Sequence, residues 1–351
     1  MAKKLRIGIV GTGWIGTTNG RALNANPRGE IVALCDIIPE RMDAFEKELG
    51  RPMRKYADFR DLARDAEVDA VFVGTPNQVH VPPALEAVRH DKHVMCTKPL
   101  SNAAAPAKAL VKAAEAAGVV NMMSLSCRFS PECQYLGRRA KSGLFGEIYY
   151  ARARSIRRSG IPDWSEGFIL PGGGAFRDMG VHVLDASWWL MGMPRPLTAS
   201  GVGGARFGPR GLGYWDFKTP PKSYWAKYGS DDYAGGIIRF EGGIGIQVES
   251  FWASHMPEDF QVELFGTEAA ASLNPLKLHR TVEGAPEDME VKVPRCQGEA
   301  WANIADHFIA CALDGVPCRA PLRHGLVVQL MMESVLESAA KGKEVRVPEV
   351  K

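Results

Sequence analysis

The apolar run Leu5-Arg6-Ile7-Gly8-Ile9-Val10 leads without a break into Gly11-Thr12-Gly13-Trp14-Ile15-Gly16. No other feature limits the possible folds so tightly. Apolar residues on both faces predict a short strand inside a parallel sheet. A helical pattern follows through Arg21, Ala22 and Leu23. Strand, G-x-G-x-x-G and helix in that order form the context a dinucleotide-binding turn requires. Gly11 permits the tight turn. Gly13 lets the backbone approach a pyrophosphate at the helix N-terminus, and Gly16 lets helix and strand pack closely. Trp14 and Ile15 belong to the same cofactor-binding turn. A second strand, Glu30–Cys35, ends at Asp36, 20 residues past Gly16. A carboxylate there accepts hydrogen bonds from ribose hydroxyls and repels a 2′-phosphate. The next residues, Ile37 and Ile38, are not basic, so NAD is expected over NADP.

The alternation continues. Helices are expected at Arg41–Leu49, Phe59–Asp65, Pro83–Arg89 and Pro106–Ala117. Strands are expected at Val68–Val73, His93–Cys96 and Val119–Leu125. Such a series predicts a doubly wound parallel sheet, which binds ligands outside the carboxyl ends of its strands. Thr75-Pro76-Asn77, with His80 just beyond, and Thr97-Lys98-Pro99 both fall at that edge. Lys98 is therefore expected near the nicotinamide end of the cofactor.

At 351 residues the chain is too long for one ordinary core, so two domains are expected. The pattern changes after about residue 125, which divides it into residues 1–125 and 126–351. A helix is expected at Pro131–Ser142 and a strand at Gly146–Arg154. Further β-like runs follow at Leu197–Gly201, Gly235–Phe240, Ile244–Phe251 and Gln261–Phe265. Ala300–Leu313 and Leu322–Lys341 read as helices and Val345–Val347 as a closing strand. Runs of strands in this order predict a mostly antiparallel sheet of α+β character. Between them lies Gly172-Gly173-Gly174-Ala175-Phe176-Arg177-Asp178-Met179-Gly180-Val181-His182, continuing to Asp185. On a helix, Asp178, His182 and Asp185 share one face. A carboxylate and an imidazole held together suit proton transfer, because histidine changes charge near neutral pH. The same pattern also fits a structural His–Asp hydrogen bond on a packed helix.

Two loops complete the candidate set. Ile156–Leu170 carries Arg157, Arg158, Asp163 and Trp164, and Gly204–Tyr228 carries Phe207, Tyr214, Trp215, Phe217, Tyr224, Trp225 and Tyr228. Aromatic faces beside Arg and Asp suit sugar rings, and equally suit an aromatic packing contact.

Composition excludes several classes. A net charge of +3 over this length is no nucleic-acid footprint. No block of like charge points to a membrane surface, and no apolar run reaches the roughly 18 residues of a membrane helix. The seven cysteines, Cys35, Cys96, Cys127, Cys133, Cys296, Cys311 and Cys318, include no C-x-x-C pair. They read as free thiols in a reducing cytoplasm, with no Cys/His cluster at metal-ligand spacing.

Taken together, the chain resembles the Gfo/Idh/MocA oxidoreductase family. The resemblance rests on the Gly11–Gly16 turn, Thr75-Pro76-Asn77-x-x-His80, Thr97-Lys98-Pro99, and the series Gly172 to Asp185. Arg128-Phe129-Ser130-Pro131, Leu264-Phe265-Gly266-Thr267 and Gly325-Leu326 add to it. It implies an N-terminal Rossmann domain and a C-terminal α+β domain with an open sheet whose exposed face forms homodimers or homotetramers. It also implies Lys98, Asp178 and His182 as catalytic residues. Arg128, Arg157 and Trp164 join them as candidate substrate contacts. Two departures stand out: Thr97 occupies a position where the family usually has Glu, and Asn19 one where it often has His. The expected activity is NAD-dependent oxidation of a secondary alcohol of a sugar, inositol or glycoside, or its reverse. Two alternatives are a retained-NAD enzyme that processes glycosides through a transient 3-keto sugar and a non-catalytic NAD-loaded sensor.

Overall fold

The computed structural model describes residues 3–294 and 298–350. The chain divides into two compact units, residues 1–129 with 296–326, and residues 130–295 with 327–351. Residues 298–326 pack as part of the first unit; Cys296 lies outside the described residues.

The first unit alternates strand and helix. Its elements are β1 (Leu5–Val10), α1 (Trp14–Ala25), β2 (Gly29–Cys35), α2 (Pro39–Leu49), β3 (Arg54–Tyr56), α3 (Phe59–Arg64), β4 (Ala70–Val73), α4 (Val81–Arg89), β5 (His93–Thr97), α5 (Ala104–Ala117) and β6 (Asn121–Ser124). The six strands are all parallel, in the order β3-β2-β1-β4-β5-β6. Each inner strand is apolar on both sides: Ile7, Ile9, Ala70, Phe72, Val94 and Met95 are fully buried. That is the burial an inner parallel strand must satisfy, since helices cover both faces. The strand β3, three residues long and polar, falls below the sequence signal and was not expected.

The returning segment is tied to this unit at several points. Helix α9 (Glu299–Asp314) packs against α1. Asn26 Nδ2 donates to Asp306 Oδ1 at 2.7 Å, and Arg28 pairs with Asp314 at 2.7 Å. The Met123 N–H donates to the carbonyl of Ala320 at 2.8 Å. An amphipathic helix shows that it must pack, but not which sheet it returns to.

The second unit holds α6 (Pro131–Lys141), β7 (Ile148–Ile156), α7 (Val181–Leu190), β8 (Pro196–Gly204), the single turn α8 (Lys222–Trp225), β9 (Tyr233–Phe240), β10 (Gly245–Phe251), β11 (Asp259–Gly266), β12 (Ala270–Leu273), β13 (Leu276–Val282), β14 (Ala285–Glu290) and β15 (Val345–Arg346). Helix α10 (Leu322–Lys341) contains the boundary between the units. The sheet has nine strands in the order β14-β13-β12-β11-β7-β10-β9-β8-β15. Only β7 and β10 pair in parallel; the other pairs are antiparallel. Along β7, Ala151, Ala153 and Ser155 are buried on the side where α7 packs. On the alternate positions, Arg152 and Arg154 form ion pairs with Glu263 and Asp259 of β11. Strands β12 to β14 were not expected; β14, Ala-Pro-Glu-Asp-Met-Glu, is exposed throughout and lacks any apolar alternation.

A buried acid organises the long loop after β8. Asp232 is fully buried. Its carboxylate accepts N–H groups from Arg206 at 2.8 Å, Phe207 at 2.7 Å and Gly208 at 2.9 Å. Orphaned buried donors cost about 1–3 kcal/mol each. Asp232→Ala is therefore expected to lower unfolding stability by about 3 kcal/mol, and Asp232→Asn by about half of that. Urea denaturation of the full chain measures both, and an unchanged midpoint for Asp232→Ala contradicts the assignment.

Candidate active site

The cofactor turn is built from backbone. A Cβ on Gly16 would overlap the carbonyl oxygen of Gly11, so the first turn of α1 lies directly on the β1–α1 turn. Gly11 adopts φ +87°, in the left-handed region. The space beside Gly13 is open, with nothing within 4 Å of where its Cβ would be. Gly13 caps α1 without a side-chain hydrogen bond, and no acid lies in the helix's first turn. Its N–H donors therefore suit an anion. Asp36 is nearly buried at the end of β2. Its Oδ2 accepts from the Thr12 N–H at 2.7 Å and hydroxyl at 3.0 Å, and its Oδ1 accepts from the Ile38 N–H at 3.0 Å. A carboxylate has about four acceptor sites, so capacity for ribose hydroxyls remains. At the end of β4, the buried Thr75 hydroxyl has no hydrogen-bond partner among the described residues. An open glycine, an uncapped helix and an orphaned hydroxyl fit a bound dinucleotide.

The structure brings Thr75, His80, Lys98 and Pro99 together. The buried His80 ring has Nε2 2.7 Å from the Thr75 carbonyl and Nδ1 2.7 Å from the Pro99 carbonyl. Two carbonyls favour the doubly protonated ring. Burial outweighs them, and with the nearby Lys98 charge it pushes the His80 pKa down to about 4. The ring is therefore neutral near pH 7 and can donate to only one carbonyl. Lys98 is half-buried and precedes Pro99 through a cis peptide bond. Trp14 is exposed and Ile15 half-buried in the first turn of α1, and Pro76 and Asn77 follow Thr75 beyond the end of β4. Asn19 is buried in α1; it accepts from the Ser124 hydroxyl at 3.1 Å and donates to the Ile15 carbonyl at 2.9 Å. It thus braces α1 against the end of β6.

In the second unit, Phe176–Gly180 form a π-helical turn that runs into α7. Asp178 lies within this wider turn, whereas His182 and Asp185, three residues apart in α7, share one face of that helix. Asp178 and His182 are half-buried, and Asp185 is fully buried. Gly174 has φ +104°, and any side chain there would collide with Asp231. Asp231 in turn accepts the Phe176 N–H at 2.9 Å, fixing the start of the turn. Burial pushes its carboxyl up to about 6. Trp252 Nε1 donates to Asp178 Oδ2 at 3.0 Å.

An aromatic row leads outward from Trp252. Phe168 meets Trp252 at a ring distance of 6.3 Å, Trp164 meets Phe168 at 5.8 Å, and Trp215 meets Trp164 at 5.6 Å, all edge-on. The Arg157 guanidinium lies 4.9 Å from the Trp215 ring. Arg157 and Trp164 are thus joined to Asp178 through side chains of one unit. Most of the other loop aromatics are core instead. Tyr214 is fully buried, and Phe207, Tyr224, Trp225 and Tyr228 pack around it, Met179 and Trp252. Phe217, Trp164 and Trp215 are the exposed members, at 75%, 61% and 36%. Arg128 is fully buried in the first unit and donates to the Arg319 carbonyl at 2.8 Å and to His324 Nδ1 at 3.1 Å. Those contacts give it a part in holding the fold. Trp252 and Asp231 were missed in the sequence, because an isolated Trp just past a strand and one of two adjacent Asp residues carry no spacing signal.

A parallel six-stranded sheet with this glycine turn, and an acid closing its second strand, defines a dinucleotide-binding oxidoreductase. Comparison with known families agrees. The model of the oxidoreductase family with an NAD-binding Rossmann fold matches residues 5–125, and that of the GFO/IDH/MocA C-terminal domain matches residues 133–272. The chain belongs to the Gfo/Idh/MocA oxidoreductase family, and its N-terminal domain is NAD-binding. It is similar to D-glucoside 3-dehydrogenase of Escherichia coli K12, 26% identical over 97% of each chain. It is similar also to scyllo-inositol 2-dehydrogenase (NAD(+)) of Bacillus subtilis 168, 26% identical over 90% of this chain and 88% of that one. Among solved structures, levoglucosan dehydrogenase in complex with NADH and levoglucosan shares the fold, with a TM-score of 0.84, 21% identity and coverage of 99% and 100%. Among the described residues, no helix is long and apolar enough to cross a membrane.

The depressed His80 pKa predicts a pH window. The unfolded chain takes up the proton below about 6.5 and the folded chain only below about 4. Stability is therefore complete above pH 6.5 and is lost as pH falls from 6.5 to 4. At about 1.4 kcal/mol per pH unit the loss reaches about 3 kcal/mol. NMR of the His80 ring protons is expected to show no titration between pH 7 and pH 5, and a midpoint near 6.5 contradicts this.

Proposed function

We propose that this protein is an NAD-dependent dehydrogenase that oxidises a secondary alcohol of a sugar, inositol or glycoside, or reduces the matching ketone. The observation that carries the proposal is the hydrogen bond from Trp252 Nε1 to Asp178. It holds a carboxylate at the start of the His182 helix, in a chain whose other domain carries the NAD turn and Lys98 at a strand end. The names of the relatives, glucoside 3-dehydrogenase and inositol 2-dehydrogenase, support the substrate class.

In this reading Gly13 and the first turn of α1 hold the pyrophosphate, and Asp36 holds the adenosine ribose. The bound nicotinamide supplies the hydride acceptor. His182 takes the hydroxyl proton as general base, within the range where imidazole is effective. Lys98 stabilises the oxygen as negative charge develops on it. Asp178, fixed by Trp252, holds the substrate and orients the His182 ring. Arg157 and Trp164 contact the rest of the sugar. The proton leaves with His182 and the carbinol carbon becomes a carbonyl.

NADH fluorescence against a panel of hexoses, inositols and glycosides tests the reading, and no reduction of NAD with any of them contradicts it. With the substrate so found, His182→Ala is expected to lower kcat about 1000-fold and Lys98→Ala about 100-fold or more. Wild-type turnover in both variants contradicts the assignment. Asp36→Ser removes the carboxylate that repels a 2′-phosphate. It is expected to shift the NAD-to-NADP preference in kcat/KM about 10-fold or more towards NADP, and an unchanged ratio contradicts that role.

A further inference from the structure

We propose that Cys311 and Cys318 are a reversible thiol–disulfide pair that a hydroperoxide oxidises. Nothing in the dehydrogenase reading uses either residue.

The geometry begins in α9. His307 and Cys311 are four residues apart and lie on one face of the helix. The helix ends at Asp314, and Gly315, at φ +68°, turns the chain back. The return brings Cys318 to the same place: His307 Nε2 and the two sulfur atoms all lie within 4.8 Å of one another. Cys311 Sγ is 3.5 Å from His307 Nε2. Both thiols are free in this structure, and only seven positions separate them. The sequence showed no Cys/His cluster at ligand spacing, because the third member arrives through a glycine turn rather than along the helix.

The two thiols are unequal. Cys311 is buried, whereas Cys318 is half-buried beside the exposed residues 315–317. A hydrogen bond from Cys311, with the charges of Arg128 and Arg319, pulls the Cys318 thiol below its ordinary range against the effect of burial. The same hydrogen bond and burial push Cys311 up. One accessible thiol that leans towards thiolate, with a buried partner at its side, is the arrangement of an attacking and a resolving cysteine. The cluster suits a metal ion less well. His307 Nε2 already accepts the Arg319 N–H at 2.8 Å, and two guanidinium charges act on the Cys318 sulfur.

The chemistry balances with a hydroperoxide as oxidant. The Cys318 thiolate attacks one peroxide oxygen, the O–O bond breaks, and the departing oxygen takes a proton to leave as water or an alcohol. Cys318 is then a sulfenic acid. Cys311 loses its proton and attacks the Cys318 sulfur; the S–S bond forms, the S–O bond breaks, and water leaves. Two thiols are oxidised by two electrons and the peroxide is reduced by two.

The test uses the full-length protein treated with hydrogen peroxide, blocked with a maleimide and digested with a protease that cuts at Asp314, which separates the two cysteines. The expected result is a cross-linked Cys311–Cys318 peptide pair that a dithiol reverses. Before oxidation, Cys318 is expected to react with iodoacetamide about 10-fold faster than Cys311 at neutral pH. Cys311→Ser is expected to stop at a sulfenic acid on residue 318, trapped by dimedone, and Cys318→Ser to give no cross-link. The proposal is overturned if both cysteines remain open to the maleimide after peroxide, or if either links to another cysteine. It is also overturned if the protein as isolated carries one zinc per chain that shields both thiols until a chelator removes it.

Discussion

The first unit is organised by the absence of side chains where α1 meets the strand ends. No Cβ can stand at Gly16 without entering the Gly11 carbonyl, and one at Gly74 would lie 2.9 Å from Gly16 Cα. Helix and sheet therefore meet backbone to backbone. The N–H donors of the helix point outward at the carboxyl edge of β1 and β4 with no side chain to satisfy them. From this contact follow the open space at Gly13, the position of Asp36 against Thr12, and the exposure of that strand edge to a ligand.

The second unit repeats the device with a different outcome. In both units a buried carboxylate accepts a backbone N–H at a glycine-rich turn that opens a helix: Asp36 from Thr12 in one, Asp231 from Phe176 in the other. Asp36 keeps acceptor capacity for a ligand. Asp231 stands where Gly174 has room for nothing else, and its carboxyl is raised by burial, so it serves the turn. The result is a π-helical turn that carries Asp178 to the indole N–H of Trp252.

Much of this was legible in the sequence, and the illegible parts share a cause. β1, β2, β4, β5 and β6 announce themselves because a buried parallel strand must be apolar on both faces. β3, with Arg54 and Lys55, and β14, with Pro286 and three acids, are edge strands held by main-chain pairing and by ion pairs such as Arg54–Asp65 and Arg280–Glu287, not by apolar burial. Helix α9 is visible as a helix, but its partner α1 lies nearly three hundred residues earlier in the chain, as the Asn26–Asp306 contact shows. Asp178 and His182 were singled out by type and spacing. The π-helical turn was not, since one extra residue per turn leaves no compositional trace. The aromatics of residues 204–228 look alike in sequence, yet Tyr214 is core and Phe217 is exposed. That distinction depends on the loop's path around Asp232.

The aromatic row carries a consequence for specificity. Trp252 cannot tilt without moving Phe168, nor Phe168 without Trp164, because each ring meets the next edge-on at 5.8 to 6.3 Å. Close-packed rings pass on displacement rather than absorb it. The indole that fixes Asp178 is thus the inner end of a wall whose outer end, Trp164 and Trp215 with Arg157, is open to solvent or half-buried. In the dehydrogenase reading, a sugar resting on the outer rings leans on the same wall that orients the carboxylate. Substitution at Trp164 then acts on kcat as well as on KM, whereas a peripheral sugar contact with no such backing acts on KM alone.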